Sequence, residues 1–185
     1  MRIVGGTHKG LALAGPKSDA IRPTSDRTRE ALFNILTHGV DAFSLQDSRV
    51  LDLFAGTGAL GLEALSRGAR FALFVDENAA SRALVRRNVE AMGATGISKI
   101  WRRDACRLGK REQLQPFDLV FADPPYGRGL GENALQSCLN FDWLREDSLC
   151  VLEEAATAEI REIGGLRQID RRIYGDSQIL LYRRI

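Results

Sequence analysis

Short apolar runs and helix-spaced apolar positions alternate along this chain, and glycines mark the joins. Val50–Phe54 is an apolar run interrupted by Asp52, Gly56-Thr57-Gly58 is a turn, and Leu62 and Leu65 beside Ala59 and Ala64 repeat at helical spacing. That order predicts a buried strand, a tight turn and a helix ending near Gly68. Phe71–Asp76 predicts a second buried strand that ends in an acid, and Ala83, Leu84, Val89 and Met92 predict a helix over Ala79–Met92 with Arg82, Arg86 and Arg87 outward. Ile97–Arg103 fits a third strand, Phe117–Ala122 a fourth and Ser148–Glu153 a fifth, with a helix over Asn133–Leu139 before the last. Gln168–Tyr174 and Ser177–Arg184 read as a closing pair around the turn dipeptide Gly175-Asp176.

Ahead of this alternating pattern, Arg2–Leu13 holds two short apolar pieces around a glycine turn and predicts a small hairpin. A loop with Gly15, Pro16 and Pro23 follows. Thr24-Ser25-Asp26 then supplies helix-capping chemistry before the apolar face Ala31, Leu32, Ile35, Leu36, while Arg27, Glu30 and Asn34 share another face. Gly39 to Ser48 reads as a loop.

Composition changes this picture little: 185 residues, 44% hydrophobic and 27% charged, predict one globular unit with a proper core. Cys106, Cys138 and Cys150 form no C-x-x-C pair, which argues against a disulfide framework and for a reducing cytoplasm, and with His8 and His38 as the two histidines a zinc site is not expected. The first residues lack the apolar segment of a signal peptide and nowhere do eighteen apolar residues run together, so neither secretion nor membrane insertion is expected. Up to His38 there are six basic residues against three acids, net +3, and the remainder is 20 against 21. This is a modest sign of a polyanionic partner at the N-terminal end.

Two stretches carry chemistry. Gly56-Thr57-Gly58-Ala59-Leu60-Gly61 matches G-x-G-x-x-G, and Asp76 follows at the spacing of a ribose-binding acid, so a nicotinamide enzyme is the first reading to weigh. Asp52 opposes it, because a carboxylate at the strand end would face a pyrophosphate across poorly screened space. A cationic ligand without phosphate suits Asp52, and S-adenosylmethionine, with its sulfonium and ammonium, is such a ligand. On this reading Asp52 holds the amino end, Phe54, Gly56 and Gly58 pass the cofactor over the turn, and Asp76 takes two ribose hydroxyls. Asp104 and the Ala105 N–H, at the end of the third strand, would contact an adenine; the alternative for Asp76 and for Asp104 is to cap the helix that follows. The second stretch is Asp123-Pro124-Pro125-Tyr126, running straight out of the fourth strand. Two prolines fix the backbone extended and leave the carbonyls of Asp123 and Pro124 to accept elsewhere. An acid, a rigid carbonyl and an aromatic ring then suit an exocyclic amine on a nucleobase.

Asp52–Gly58 together with Asp123–Tyr126 resembles the S-adenosylmethionine-dependent methyltransferases that modify exocyclic amines. The N-terminal motifs are more specific. Met1-Arg2-Ile3, Gly5-Gly6 and Gly10, then Arg22-Pro23-Thr24, Asp26-Arg27 and Arg29-Glu30-Ala31-Leu32-Phe33-Asn34, resemble the RsmD-type bacterial methyltransferases of guanine N2 in 16S ribosomal RNA. The resemblance covers nearly the whole chain and weakens after about Gly129. It implies an α/β, Rossmann-like class I methyltransferase: a seven-stranded, mostly parallel sheet with helices on both faces, an antiparallel last strand and an N-terminal hairpin extension. It also implies residues 1–38 as an RNA-contacting extension through Arg2, Lys9, Arg22 and Arg27, with 39–185 the methyltransferase domain, one compact unit overall. The implied partner is 16S RNA or the small ribosomal subunit, with no membrane and no metal, and a monomer is expected.

Guanine N2 is a poor nucleophile, so Asp123 and the Pro124 carbonyl, accepting its hydrogens, would position it and stabilise charge while Tyr126 stacks on the base. Three rival readings remain: an adenine-N6 methyltransferase for DNA, against which the short length counts; a nicotinamide oxidoreductase, disfavoured by Asp52; and a non-catalytic RNA-binding assembly factor on the same fold.

Overall fold

The computed structural model describes residues 1–16 and 25–185, so Arg22, Pro23 and Thr24 lie outside the described residues. Its core is one seven-stranded sheet: β1 (Arg49–Leu53), β2 (Phe71–Val75), β3 (Ser98–Trp101), β4 (Phe117–Ala122), β5 (Leu144–Ala155), β6 (Leu166–Tyr174) and β7 (Ser177–Arg184). The strands lie in the order β3-β2-β1-β4-β5-β7-β6. β1 to β5 pair in parallel, and β7 runs antiparallel to both β5 and β6.

Alternation along the strands divides the core in two. Val50, Ala72, Phe74, Leu119 and Phe121 face one side, against residues of α1 (Asp26–His38), α2 (Ala59–Ser66) and α3 (Ala79–Met92). Leu51, Leu53, Leu73, Val75 and Val120 face the other, against α4 (Leu130–Asn140) and the buried Trp143. Because both faces are covered, the central strands read as largely apolar runs, interrupted at Asp52 in β1 and Asp118 in β4.

The N-terminal piece pairs as a short hairpin through an antiparallel bridge, Arg2 with Ala12, with Ile3 N donating to Leu11 O at 2.9 Å, Gly10 N to Ile3 O at 2.8 Å and Leu13 N to Met1 O at 3.1 Å. What holds it is docking on α2. Thr7 N donates to Ser66 O at 2.8 Å, and Ser66 Oγ donates to Gly5 O at 2.6 Å. Gly6, at φ +76, is obligatory there, since a Cβ would fall 1.9 Å from Ser66 O. Behind the hairpin lies a buried charge network. Glu63, on α2, takes Arg67 Nε at 2.8 Å, Val4 N at 2.9 Å and Arg29 Nε at 3.5 Å, and Arg29 also reaches Asp26 at 2.8 Å. Arg29 and Glu63 are both fully buried, and each keeps a second ionic partner, Asp26 for Arg29 and Arg67 for Glu63. Ile3, Leu13, Leu32, Phe33 and Leu36 join the same core as the sheet, so the extension folds as part of the main unit.

Ser25 caps α1 by accepting from Thr28 N at 3.1 Å, as its capping chemistry predicts. Three expected boundaries move. β3 is shorter than Ile97–Arg103 because its pairing with β2 stops at Trp101, and Ile97 belongs to a 3-10 turn. α4 starts at Leu130, three residues before Asn133, behind Gly129 at φ +63 with no side-chain cap to announce it. β5 begins at Leu144, with exposed Arg145, Glu146 and Asp147 in the stretch before its apolar run, where its register with β4 shifts.

Candidate active site

Parallel register builds the site. Leu53 pairs with Val75 in β2 and with Ala122 in β4, so the residues that follow, Phe54, Asp76 and Asp123, leave the sheet at one level. Ligands of open α/β sheets bind at such carboxyl ends. Here they open onto a cavity of about 530 Å³ lined by both glycine loop and Asp-Pro-Pro-Tyr loop, within the usual size of small-molecule sites.

On the glycine-loop wall, Phe54 sits at φ +56, a conformation a bulky residue adopts under constraint. Gly56, at φ +57, follows, and a Cβ there would meet only Phe54 O at 3.8 Å, so the space above its backbone is open. Asp76 ties this loop to the next: Oδ2 accepts from Gly56 N at 3.0 Å and Oδ1 from Asn78 N at 2.8 Å. The cap of α3 is Asn78, which accepts from Ala80 N and Ser81 N. Asp76 is therefore no helix cap, and it lines the cavity.

Asp52 also lines the cavity, yet is 2% exposed, and its Oδ2 accepts from Gly61 N at 2.9 Å in the first turn of α2. Gly61 must lack a Cβ, which would sit 2.4 Å from Phe74 Cε1 and 3.1 Å from the Asp52 carboxylate. Burial pushes the Asp52 carboxyl up to about 8, the Gly61 bond opposes that rise, and the Asp76 charge adds to it. A dinucleotide would set its pyrophosphate on this helix terminus. Asp52 already occupies it, with a group that gains from a nearby cation.

Opposite stands Asp123-Pro124-Pro125-Tyr126, whose four residues all line the cavity. Two consecutive carboxylates at the end of β5 brace it. Tyr126 Oη donates to Glu153 Oε1 at 2.7 Å, and Gly127 N donates to both oxygens of Glu154 at 2.9 and 3.1 Å. Burial and then the Glu153 charge raise the Tyr126 hydroxyl, keeping it a donor. The ring itself stays 37% exposed.

Of the residues selected from sequence for the cofactor, Asp52, Phe54, Gly56, Asp76 and Ala105 line the cavity. Gly58 and Asp104 do not. Gly58 is a turn residue at φ +78 whose missing Cβ leaves room for Phe74 and Val85. Asp104 caps a 3-10 turn by accepting from Cys106 N at 2.8 Å, the capping alternative left open above. Arg2, Lys9 and Arg27 are exposed on the N-terminal extension, Arg2 beside Asp26 at 3.5 Å. Sequence reasoning missed Asn78, Ser81 and Arg103 on the cavity wall and the bracing role of Glu153 and Glu154. Two acids closing an apolar strand were the available signal for the last pair. It also missed Asn88, 1% exposed on α3, which accepts from Ala14 N at 2.7 Å and donates to Ala14 O at 3.0 Å and Thr57 O at 2.9 Å. That amide fastens the extension to the glycine loop.

Among the described residues no cluster of His, Cys, Asp and Glu is arranged for a metal ion, and no helix is long and apolar enough to cross a membrane. Cys106, Cys138 and Cys150 are free thiols.

The sheet order, the open glycine loop, the Asp76 carboxylate on the cavity wall and the occupied helix terminus fit an S-adenosyl-L-methionine-dependent methyltransferase of class I fold, which the chain is. Residues 1–183 match the family described as conserved hypothetical protein 95, and the chain belongs to it. The chain is 38% identical over 154 residues to ribosomal RNA small subunit methyltransferase D of Escherichia coli K12, covering 83% of this chain and 74% of that one. It is 33% identical over 189 residues to the Bacillus subtilis protein YlbH, covering 100% of this chain and 99% of YlbH. The solved structure of Escherichia coli yhhF superposes with a TM-score of 0.83 at 32% identity, over 100% of this chain and 97% of that one. The RsmD-type resemblance of the N-terminal motifs is thereby borne out.

Proposed function

We propose that this protein methylates the exocyclic N2 amine of a guanine in 16S ribosomal RNA of the small subunit. The observation that carries the reading is the braced Asp-Pro-Pro-Tyr loop facing the glycine-loop wall across one cavity. The name of the Escherichia coli relative supports ribosomal RNA of the small subunit as the substrate.

S-adenosylmethionine supplies an electrophilic methyl group on a positively charged sulfur. The protein supplies position and charge. Asp76 and the open backbone at Gly56 hold the ribose side, and Asp52 meets the cationic end. Across the cavity, the Asp123 carboxylate and the Pro124 carbonyl accept the two amine hydrogens, which turns the nitrogen lone pair toward the methyl donor. Orientation of this kind and preorganised acceptors for developing positive charge are the main sources of rate. Tyr126 offers its exposed ring face to the base, which must leave its RNA context to enter. The N–C bond would form as the methyl–sulfur bond breaks and its electron pair returns to sulfur, giving S-adenosylhomocysteine, and the amine proton passes to Asp123 or to water. Arg2, Lys9, Arg22 and Arg27 contact RNA phosphates and give affinity without base choice.

The test is transfer of labelled methyl from S-adenosylmethionine to small subunits from a strain lacking this protein, followed by identification of the modified nucleoside. N2-methylguanosine is expected. N6-methyladenosine would move the substrate to an adenine, and no labelled RNA with unimpaired subunit binding would leave an assembly factor.

A further inference from the structure

Positive charge in this molecule is concentrated away from the N-terminal extension. Residues 82–111 hold nine basic side chains (Arg82, Arg86, Arg87, Lys99, Arg102, Arg103, Arg107, Lys110, Arg111) against Glu90 and Asp104, a net +7 in a chain whose total is +2. The other 155 residues therefore sum to −5. In the fold this segment is α3, the edge strand β3 and the loop that follows it, so the charge gathers along one border of the sheet. Arg86 and Arg87 are exposed on α3, Lys99 is exposed on β3, and Arg102, Arg107 and Lys110 are exposed on the loop. Among the described residues, Arg86, Arg87, Lys99, Arg102 and Lys110 stand in no ion pair.

Two further features make this a built surface. Arg103 braces the loop from within: its guanidinium lies over the Trp101 ring at 4.4 Å, donates to Leu108 O at 2.7 Å and Lys110 O at 2.8 Å, and pairs with Glu112. The loop also reaches the active site, since Arg103 and Ala105 line the cavity and Trp101 pairs in register with Val75, the residue before Asp76. The strip of unpaired charge thus runs from the rim of the methyl-transfer cavity down the β3 edge.

We propose that this edge is the principal docking surface for the RNA backbone, taking the phosphates that flank the target nucleotide on the cofactor side of the cavity. The inference rests on the RNA-methyltransferase reading above and adds to its N-terminal contacts a second and more highly charged surface. A base drawn into the cavity brings its neighbouring phosphates to the rim, where Arg102 and Lys110 meet them, with Lys99, Arg86 and Arg87 extending the track. Each phosphate neutralised releases counterions, so the surface is read out by salt dependence.

The experiment measures binding of a 16S RNA fragment containing the target guanine, across a salt series, to the full-length protein. It compares wild type with the R86Q/R87Q/R102Q/K110Q variant and with an R2Q/K9Q/R27Q variant. Calorimetry of S-adenosylhomocysteine checks that the cavity is intact. The slope of log affinity against log salt is expected to shrink by about 3 in the fourfold variant, at roughly 0.7 to 0.9 per charge, with cofactor affinity unchanged and a smaller loss in the N-terminal variant. Should the fourfold variant melt early, R102Q and K110Q read singly give the same comparison, each expected to lower the slope by about 0.7 to 0.9. A wild-type slope retained in these variants overturns the docking surface and leaves the RNA reading standing. Absence of salt-dependent RNA binding by the wild type overturns both.

Discussion

Tyr126 is tied to Glu153 by a 2.7 Å hydrogen bond from phenol to carboxylate, so a ring on the cavity wall is held from the end of β5, 27 residues away. Glu153 is 8% exposed, which makes the bond a firm anchor. Tyr126→Ala removes the stacking face and is expected to lower kcat/KM for RNA about 5- to 150-fold, the scale of about 1–3 kcal/mol for base–aromatic stacking. Tyr126→Phe keeps the face and loses the tether, and should fall between Ala and wild type. Cofactor affinity stays put in both, as measured by calorimetry.

Asp52 predicts opposite pH responses for folding and for cofactor binding. Its carboxyl, ordinarily near 3.8, is raised to about 8 by burial in the folded protein. Between those values the folded state keeps a proton that the unfolded chain has released, so its contribution to stability declines as pH rises from about 4 to about 8 and levels off above. A cationic ligand favours the ionised carboxylate, so affinity for S-adenosylmethionine should strengthen across pH 7 to 9. Calorimetry at several pH values checks it. Asp52→Asn should flatten the dependence, and a wild-type affinity that is flat over this range would remove Asp52 from the cation.

Asp76 holds two backbone N–H groups besides facing the cavity. Asp76→Ala should therefore weaken cofactor binding by loss of the ribose contact and by loosening of both loops, raising KM for the methyl donor with less effect on kcat. Asp76→Asn keeps one acceptor oxygen and should lie between. Initial rates over a donor concentration series distinguish these outcomes.

Asn88 satisfies three backbone groups at once, Thr57 O buried and Ala14 N and O half-buried. Its replacement by Ala leaves Ala14 N, Ala14 O and Thr57 O without these partners, at about 1–3 kcal/mol for each group that stays dry. Thermal melting should fall by several degrees, and cofactor affinity should fall with it, because Thr57 belongs to the glycine loop. A variant with wild-type melting but weak cofactor binding would confine Asn88 to the loop.

The parts of this fold that follow from local patterning were legible in the residues. β1, β2 and β4 are largely apolar runs, broken by Asp52 in β1 and Asp118 in β4, because both of their faces are covered, and Ser25 and Gly68 stood where helix ends need them. The cavity wall was legible where a motif carries its own geometry, as at Gly56, Asp76 and Asp123–Tyr126. Where function depends on tertiary packing it was not. Asn88 lies on a helix face whose partner is a loop 74 residues away, and nothing local marks an asparagine that closes such a contact. Asp104 had two local uses, and only the folded backbone shows that it caps Cys106. A second charge feature was hidden for a related reason: dividing the chain at His38 cancelled the +7 of residues 82–111 against acids elsewhere in the sequence.

The account turns on Asp123 acting at the target amine and not at the cofactor. Single-turnover methyl transfer by Asp123→Ala at saturating S-adenosylmethionine, with cofactor affinity measured alongside, tests that assignment most directly. A fall in rate on the order of 10²- to 10³-fold with affinity unchanged is expected, the scale set by losing one preorganised stabilising group. Asp123→Asn, which keeps an acceptor oxygen, should retain more activity than Ala if positioning dominates. A normal rate combined with weakened cofactor binding would contradict the account and move the Asp-Pro-Pro-Tyr loop to the cofactor side of the cavity.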